Sequence, residues 1–248
     1  MNVIPEKGQS ESGTKSIRSE VSPVFTKLVP ASNVLHGTTR KGNKMLEIAM
    51  ALRLKGIASN EHVAEVTGKD QETVDGVLAH MIAESYAQET PRGLRLLPEG
   101  KEWIDGLLGE ERENIDQQKI ESIYEDFCSH NDAFKQLVTD WQIKEIDGEQ
   151  QLNDHEDASY DAGIIARLSD LDEIVKPVFS SAAELAPRLT RYIERFAKAL
   201  SELQAGDHSY LAAPLKDSYH TVWFEMHEEL ILLCGRNRAD EAAAGRGA

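Results

Sequence analysis

The sequence predicts a mainly α-helical protein, in which a front unit of helices and a two-stranded wing is followed by a helical bundle. Three observations carry that expectation. Apolar residues recur at helical spacing over most of the chain between residues 43 and 233. The short runs with strand character, 86–89 and 94–97, flank a turn at Pro91-Arg92-Gly93. No stretch approaches the ~18 uninterrupted apolar residues of a membrane span.

The elements follow in order. Residues 1–42, rich in Ser, Glu, Lys and Pro near the start, read as a flexible arm. A helix begins near Asn43, buries Met45, Ile48, Ala49 and Leu52, and ends at Gly56. Ser59 is placed to cap a second helix, which stops at Gly68. Asp70 is placed to cap a third, striped by Val74, Val77, Leu78, Met81 and Ile82. After the wing, Pro98 opens a fourth helix carrying Trp103, Ile104, Leu107 and Leu108.

Residues 111–235 keep the helical period and are expected to form the bundle, since each amphipathic stripe needs the others for burial. A break is expected near Asn131, a long polar loop over 143–158, and a kink or stop at Pro177. Asp217 is expected to cap the last helix, and residues 236–248 to form a disordered tail.

Composition narrows the function classes. The apolar fraction of 40% and charged fraction of 28% suit a globular protein. The start of the chain lacks an apolar core with basic flanks, so a secretory signal is not expected. Cys128 and Cys234 stand far apart without metal-ligand spacing and read as reduced thiols of a cytoplasmic protein. The net charge of −16 is uneven, with nine basic and four acidic residues in 1–55 but fourteen and twenty-eight in 111–248. Most of the chain would repel a phosphate backbone.

Helix, helix, turn, helix, wing, helix is the order of a winged helix-turn-helix. The stretch from MLEIAMALRLKGIASNEHVAEVTG to GLRLLPEGKEW (within 43–110) resembles MarR-type bacterial regulator domains. That resemblance implies a DNA-binding role for the third helix, yet its outward positions include Gln71, Glu72, Asp75 and His80 and no Lys or Arg. DNA contact is therefore expected from a basic edge of Arg40, Lys41, Lys44, Arg92 and Arg95, with Gln71 and His80 as candidate readers. Use of the same unit for protein contact stands as the competing reading.

Two clusters are candidates for a ligand or a divalent metal ion. One is the acidic loop with Asp154, His155, Asp157 and, just beyond it, Asp161. Its spacing fits no Ca²⁺ loop. The other lies on the last helix, where His220 and His227 are seven residues apart and fall on nearly one line, with Glu228 beside them. They are expected to face one interior cavity near the acidic loop, either as a site or as structural histidines bonded to its carboxylates. The sequence is not HExxH, which excludes a zinc hydrolase of that type.

WQIKEIDGEQQLNDHEDASYD and SYHTVWFEMHEELILLCGRNRADE resemble helical segments of actinobacterial proteins linked to phosphoenolpyruvate-utilising dikinases. That resemblance implies an accessory or sensing domain of such a system. The leading expectation is a homodimeric regulator whose bundle senses a small molecule or protein partner. The alternatives are a non-DNA-binding accessory domain of a phosphoenolpyruvate-linked phosphotransfer enzyme and a metal-dependent enzyme. Neither a membrane partner nor a set of catalytic residues is expected.

Overall fold

A computed structural model describes residues 32–146 and 148–246, with side chains described from Asn43 onward except at Ile146. The front half runs α1 (Ser32–Lys55), β1 (Ile57–Ala58), α2 (Asn60–Thr67), α3 (Gln71–Ala83), β2 (Ala87–Thr90), β3 (Gly93–Leu96) and α4 (Pro98–Glu113). Helix starts need side-chain acceptors, because their first amides have no partner within the helix. Ser59 accepts from the His62 amide at 3.2 Å and Asp70 from the Thr73 amide at 2.8 Å, as the sequence leads one to expect. Gly56 and Gly68 end α1 and α2 in the left-handed region.

β2 and β3 pair antiparallel around the turn at 91–92. β1 is an addition to the expected pattern. It pairs with β3 through Ile57↔Arg95 and Ala58↔Leu94, and two residues are too short to show strand alternation in the sequence. Gly93 permits this approach, since a Cβ there would stand 2.4 Å from the Ala58 carbonyl oxygen. The helices close over Ile48, Leu52, Val74, Leu78, Ile104 and Leu108, all fully buried.

The start of α1 differs from expectation. Its backbone is helical from Ser32, so the helix begins before the expected start at Asn43. Residues 1–31 lie outside the described residues, and the Arg40 and Lys41 side chains do as well.

The second half runs α5 (Gln117–Gln142), β4 (Ile143–Ile146), β5 (Glu149–Leu152), α6 (Ala158–Leu185), a 3-10 turn (Pro187–Leu189), α7 (Thr190–Gln204), α8 (Ser209–Ala212), α9 (Tyr219–Leu233) and α10 (Arg238–Ala243). α5 does not break at Asn131. That side chain is buried and accepts a hydrogen bond from Trp223 Nε1 at 3.0 Å, so a polar residue here serves the interior. β4 and β5 pair antiparallel in register Ile143↔Leu152, where the polar composition predicts a loop. β5 is exposed throughout, and the missing burial explains the missing alternation.

α6 continues through Pro177 to Leu185. Ser218, not Asp217, caps α9, accepting from the Thr221 amide at 3.3 Å. The expected disordered tail contains α10, where Glu241 is buried and accepts from the Tyr124 hydroxyl at 2.6 Å.

α9 is the central helix of this half. Trp223 is 1% exposed and stacks on Phe134 at 4.3 Å. Among the described residues no helix is long and apolar enough to cross a membrane.

Candidate functional site

The β4–β5 hairpin delivers the acidic loop onto the start of α6. Asn153 ends the hairpin with its amide donating to the Gln142 carbonyl at 2.8 Å. His155 then takes a positive φ of 60°, uncommon for a residue with a Cβ and a mark of local constraint. That bend turns its ring back toward α6, where Nδ1 lies 2.9 Å from Asp161 Oδ2.

His155 Nδ1 also stands 3.1 Å from the Asn153 side-chain nitrogen, so the proton between these groups follows from where the Asn153 hydrogens point. The Asn153 side-chain amide has two hydrogens, which reach Asp161 Oδ1 at 2.9 Å and the Trp141 carbonyl at 3.1 Å. Its oxygen accepts from the His155 backbone amide at 3.2 Å. With those hydrogens committed, the His155–Asp161 contact is satisfied by Nδ1–H donating to the carboxylate.

A third group comes from the turn before α8. His208 Nδ1 lies 3.8 Å from Asp161 Oδ2, and one ligand atom from each of His155, Asp161 and His208 fits within 4.8 Å of the others. Trp141 forms the floor, 4.4 Å from the His155 ring and edge-on to His208 at 5.3 Å. The cleft above, about 360 Å³, is lined also by Gln142, Ser209 and Ala212. Asp161 is 1% exposed, while the two imidazoles open onto the cleft.

The other sequence candidates go elsewhere. Asp154 pairs with Lys144 at 2.5 Å, and that pairing holds the exposed carboxyl below the usual aspartate value. Asp157 caps α6, accepting from the Ser159 and Tyr160 amides. His220 and His227 do not join the acidic loop. His220 packs on the Phe134 ring at 6.1 Å. His227 lies between Tyr124 and Phe127 on α5, its Nε2 4.0 Å from Cys128 Sγ, and burial lowers its pKa to about 4. Glu228 pairs with Arg238 at 2.6 Å. The last helix thus sends its histidines toward α5 and leaves the loop to His208. His208 sits in a short polar turn, and nothing in its spacing from His155 foretells the meeting.

A second constellation links the halves. Arg188, Arg191 and Arg195 stand three and four residues apart and face Glu225 and Glu229 on α9. Glu229 accepts from Arg188 Nη1 at 2.5 Å, Arg191 Nη2 at 2.7 Å and the Tyr192 hydroxyl at 3.3 Å. Arg195 pairs with Glu225 at 2.7 Å and with Asp217. Lys55 of α1 reaches Glu225 at 2.8 Å, and Arg191 Nη1 donates to the Glu47 carbonyl of α1 at 2.9 Å. Burial disfavours the Arg188 charge, and Glu229 and Glu111 more than offset that, leaving its pKa above the usual arginine value. The 3-4 spacing of the arginines and the four-residue spacing of the glutamates is the signal the sequence offers. It is ambiguous there, because charged helix faces are usually solvated.

On the front half, Gln71 and Asp75 are exposed on α3 and bonded to one another at 2.9 Å. The Asn60 amide also donates to Asp75 at 2.7 Å. His80 is exposed and lies edge-on to Trp103 and Tyr86. Arg92 and Arg95 are exposed at the hairpin, and Lys44 on α1. No protein-family model, curated protein or solved structure matches this chain.

Proposed function

We propose that this chain is a regulatory protein, in which a winged helix-turn-helix unit over residues 43–110 is docked on a helical unit that senses a ligand at the His155–Asp161–His208 cleft. The observation that carries the reading is the ionic joint. Lys55 and the Glu47 carbonyl of α1 are tied to α7 and α9 by buried charges. Buried charge pairs tolerate little misalignment, so a displacement of α7 or α9 is passed to α1 and not absorbed. α8, which lines the cleft, packs on both α7 and α9.

The output surface favours protein contact over base reading. α3 presents Gln71, Glu72 and Asp75, and carboxylates there oppose a phosphate backbone. This feature also favours the accessory-domain alternative, whose output is a protein surface too.

Hydrogen exchange on the wild-type chain and Glu225→Gln tests the transmission. The expected result is faster exchange in α9 and, through Lys55, in α1 and α2. Loss of protection confined to α9 would overturn the reading.

A further inference from the structure

We propose that His155, Asp161 and His208 bind a divalent first-row transition-metal ion of the Zn²⁺ or Co²⁺ kind, with at least one coordination position open to the cleft. The inference names the ligand class of the sensing reading, and its regulatory consequence rests on that reading. Binding itself does not.

Metal–nitrogen and metal–oxygen bonds of about 2.0–2.2 Å place the ligand atoms of a tetrahedral ion roughly 3.3 Å apart. The His155–Asp161 separation of 2.9 Å and the His208–Asp161 separation of 3.8 Å bracket that value. The histidine nitrogens need to move by about an ångström or less to meet it. The His208 side chain is 44% exposed and has room to turn.

The Asp161 side chain is 2% exposed, and a buried carboxylate is costly unless a cation or several donors compensate it. Its described side-chain partners are one amide and two imidazoles. Compare Glu229, equally buried, which meets two guanidinium groups. A divalent ion would supply at Asp161 the charge that arginines supply at Glu229.

Metal-binding side chains are held by outer hydrogen bonds that fix their orientation. Asn153 does this for two of the three, gripping the Asp161 oxygen not used for the ion and the His155 backbone. Two imidazoles with a single carboxylate select borderline ions over Mg²⁺ and Ca²⁺, which prefer sets of oxygens. Metal binding at His155 Nδ1 requires the proton held there to pass to Nε2, so the ligand is the other neutral tautomer of the ring.

The test uses the full, untagged chain, stripped with a chelator and titrated with Co²⁺ and Zn²⁺ by calorimetry and visible absorption. We expect one equivalent of Co²⁺ per chain, a d–d absorption band, displacement by Zn²⁺, and at least tenfold weaker binding of Mg²⁺ and Ca²⁺. His208→Gln, at an exposed turn, should keep the far-ultraviolet spectrum and weaken Co²⁺ binding at least tenfold, and Asp161→Asn should abolish the band. Absence of stoichiometric binding, or His208→Gln binding with wild-type affinity, overturns the site. If the metal binds as expected but does not alter hydrogen exchange in α1 and α2, the sensing reading fails and the site stands.

Discussion

The ionic joint and the histidine cleft each hold a buried carboxylate, and they treat it in opposite ways. Glu229 is enclosed by Arg188, Arg191 and the Tyr192 hydroxyl, both of its oxygens occupied by donors of fixed position. Asp161 is just as buried, but the groups around it are imidazoles that open onto a cleft. A carboxylate saturated by guanidinium groups has no further capacity and acts as a structural bolt. One met by half-exposed imidazoles keeps exchangeable partners. Burial alone therefore does not distinguish a site from a joint; the identity and exposure of the compensating groups does.

The largest expected effect breaks the joint. Glu229→Ala leaves Arg188 and Arg191 buried and short of a carboxylate, and removing one member of a buried pair costs about 3–5 kcal/mol. Urea denaturation should show that loss as a lower midpoint. A change below about 1 kcal/mol would place the joint in the same class as a surface ion pair.

The joint is also expected to weaken in acid. Arg195 and Lys55 hold Glu225 below its usual value against the opposing effect of burial. Its contribution is therefore complete above pH 4.5 and declines as pH falls through the lowered value. His227 adds an earlier decline. Burial favours its neutral form, with a folded pKa of about 4 against the usual 6.5. Stability should be full above pH 6.5 and fall between 6.5 and 4, by up to about 3 kcal/mol. Melting temperatures across that window check it, and His227→Phe should flatten the slope. A wild-type curve that is flat across the same window would contradict the buried, neutral assignment.

Altering the cleft should cost less. Asp161→Asn keeps the shape and removes a charge whose imidazole partners can turn to water, so a loss of about 1–2 kcal/mol is expected. If the same denaturation experiment gave a loss equal to that of Glu229→Ala, the two carboxylates would be structural equals.

The smallest effect concerns the hairpin. Arg92→Ala with Arg95→Ala should weaken any DNA binding about equally for all sequences. The salt slope should fall by about one unit for every phosphate the protein no longer neutralises. Fluorescence anisotropy on unrelated duplexes measures this. Sequence-selective binding that survives the change would restore α3 as a reader.

Local signals in the sequence carry the front half well. Ser59, Asp70, Gly56, Gly68 and Pro98 mark boundaries because capping and left-handed turns depend on single residue types. β1 is illegible because two residues are too short to show a period, and the β4–β5 hairpin because β5 has no buried face to impose one. Half of the cleft is legible. His155 and Asp161 stand out as a local cluster, whereas His208 arrives from far downstream by the packing of α7 against α6. The joint is hidden for a different reason. Its charges follow helical spacing, and only tertiary contact reveals that this face is turned inward. His220 and His227 share a helix edge as expected, but which neighbour that edge meets is not encoded locally.

α9 takes part in two cores at once. Trp223, Met226 and Leu230 sit in the rear cluster, while Leu232 sits in the front cluster with Leu46 and Leu108. Arg112 of α4 also donates to the Leu232 carbonyl at 3.0 Å. A helix shared in this way cannot melt in one half and persist in the other. The halves are therefore expected to unfold together, with van't Hoff and calorimetric enthalpies that agree in a scanning calorimeter. For a chain with two separable cores, that agreement would fail.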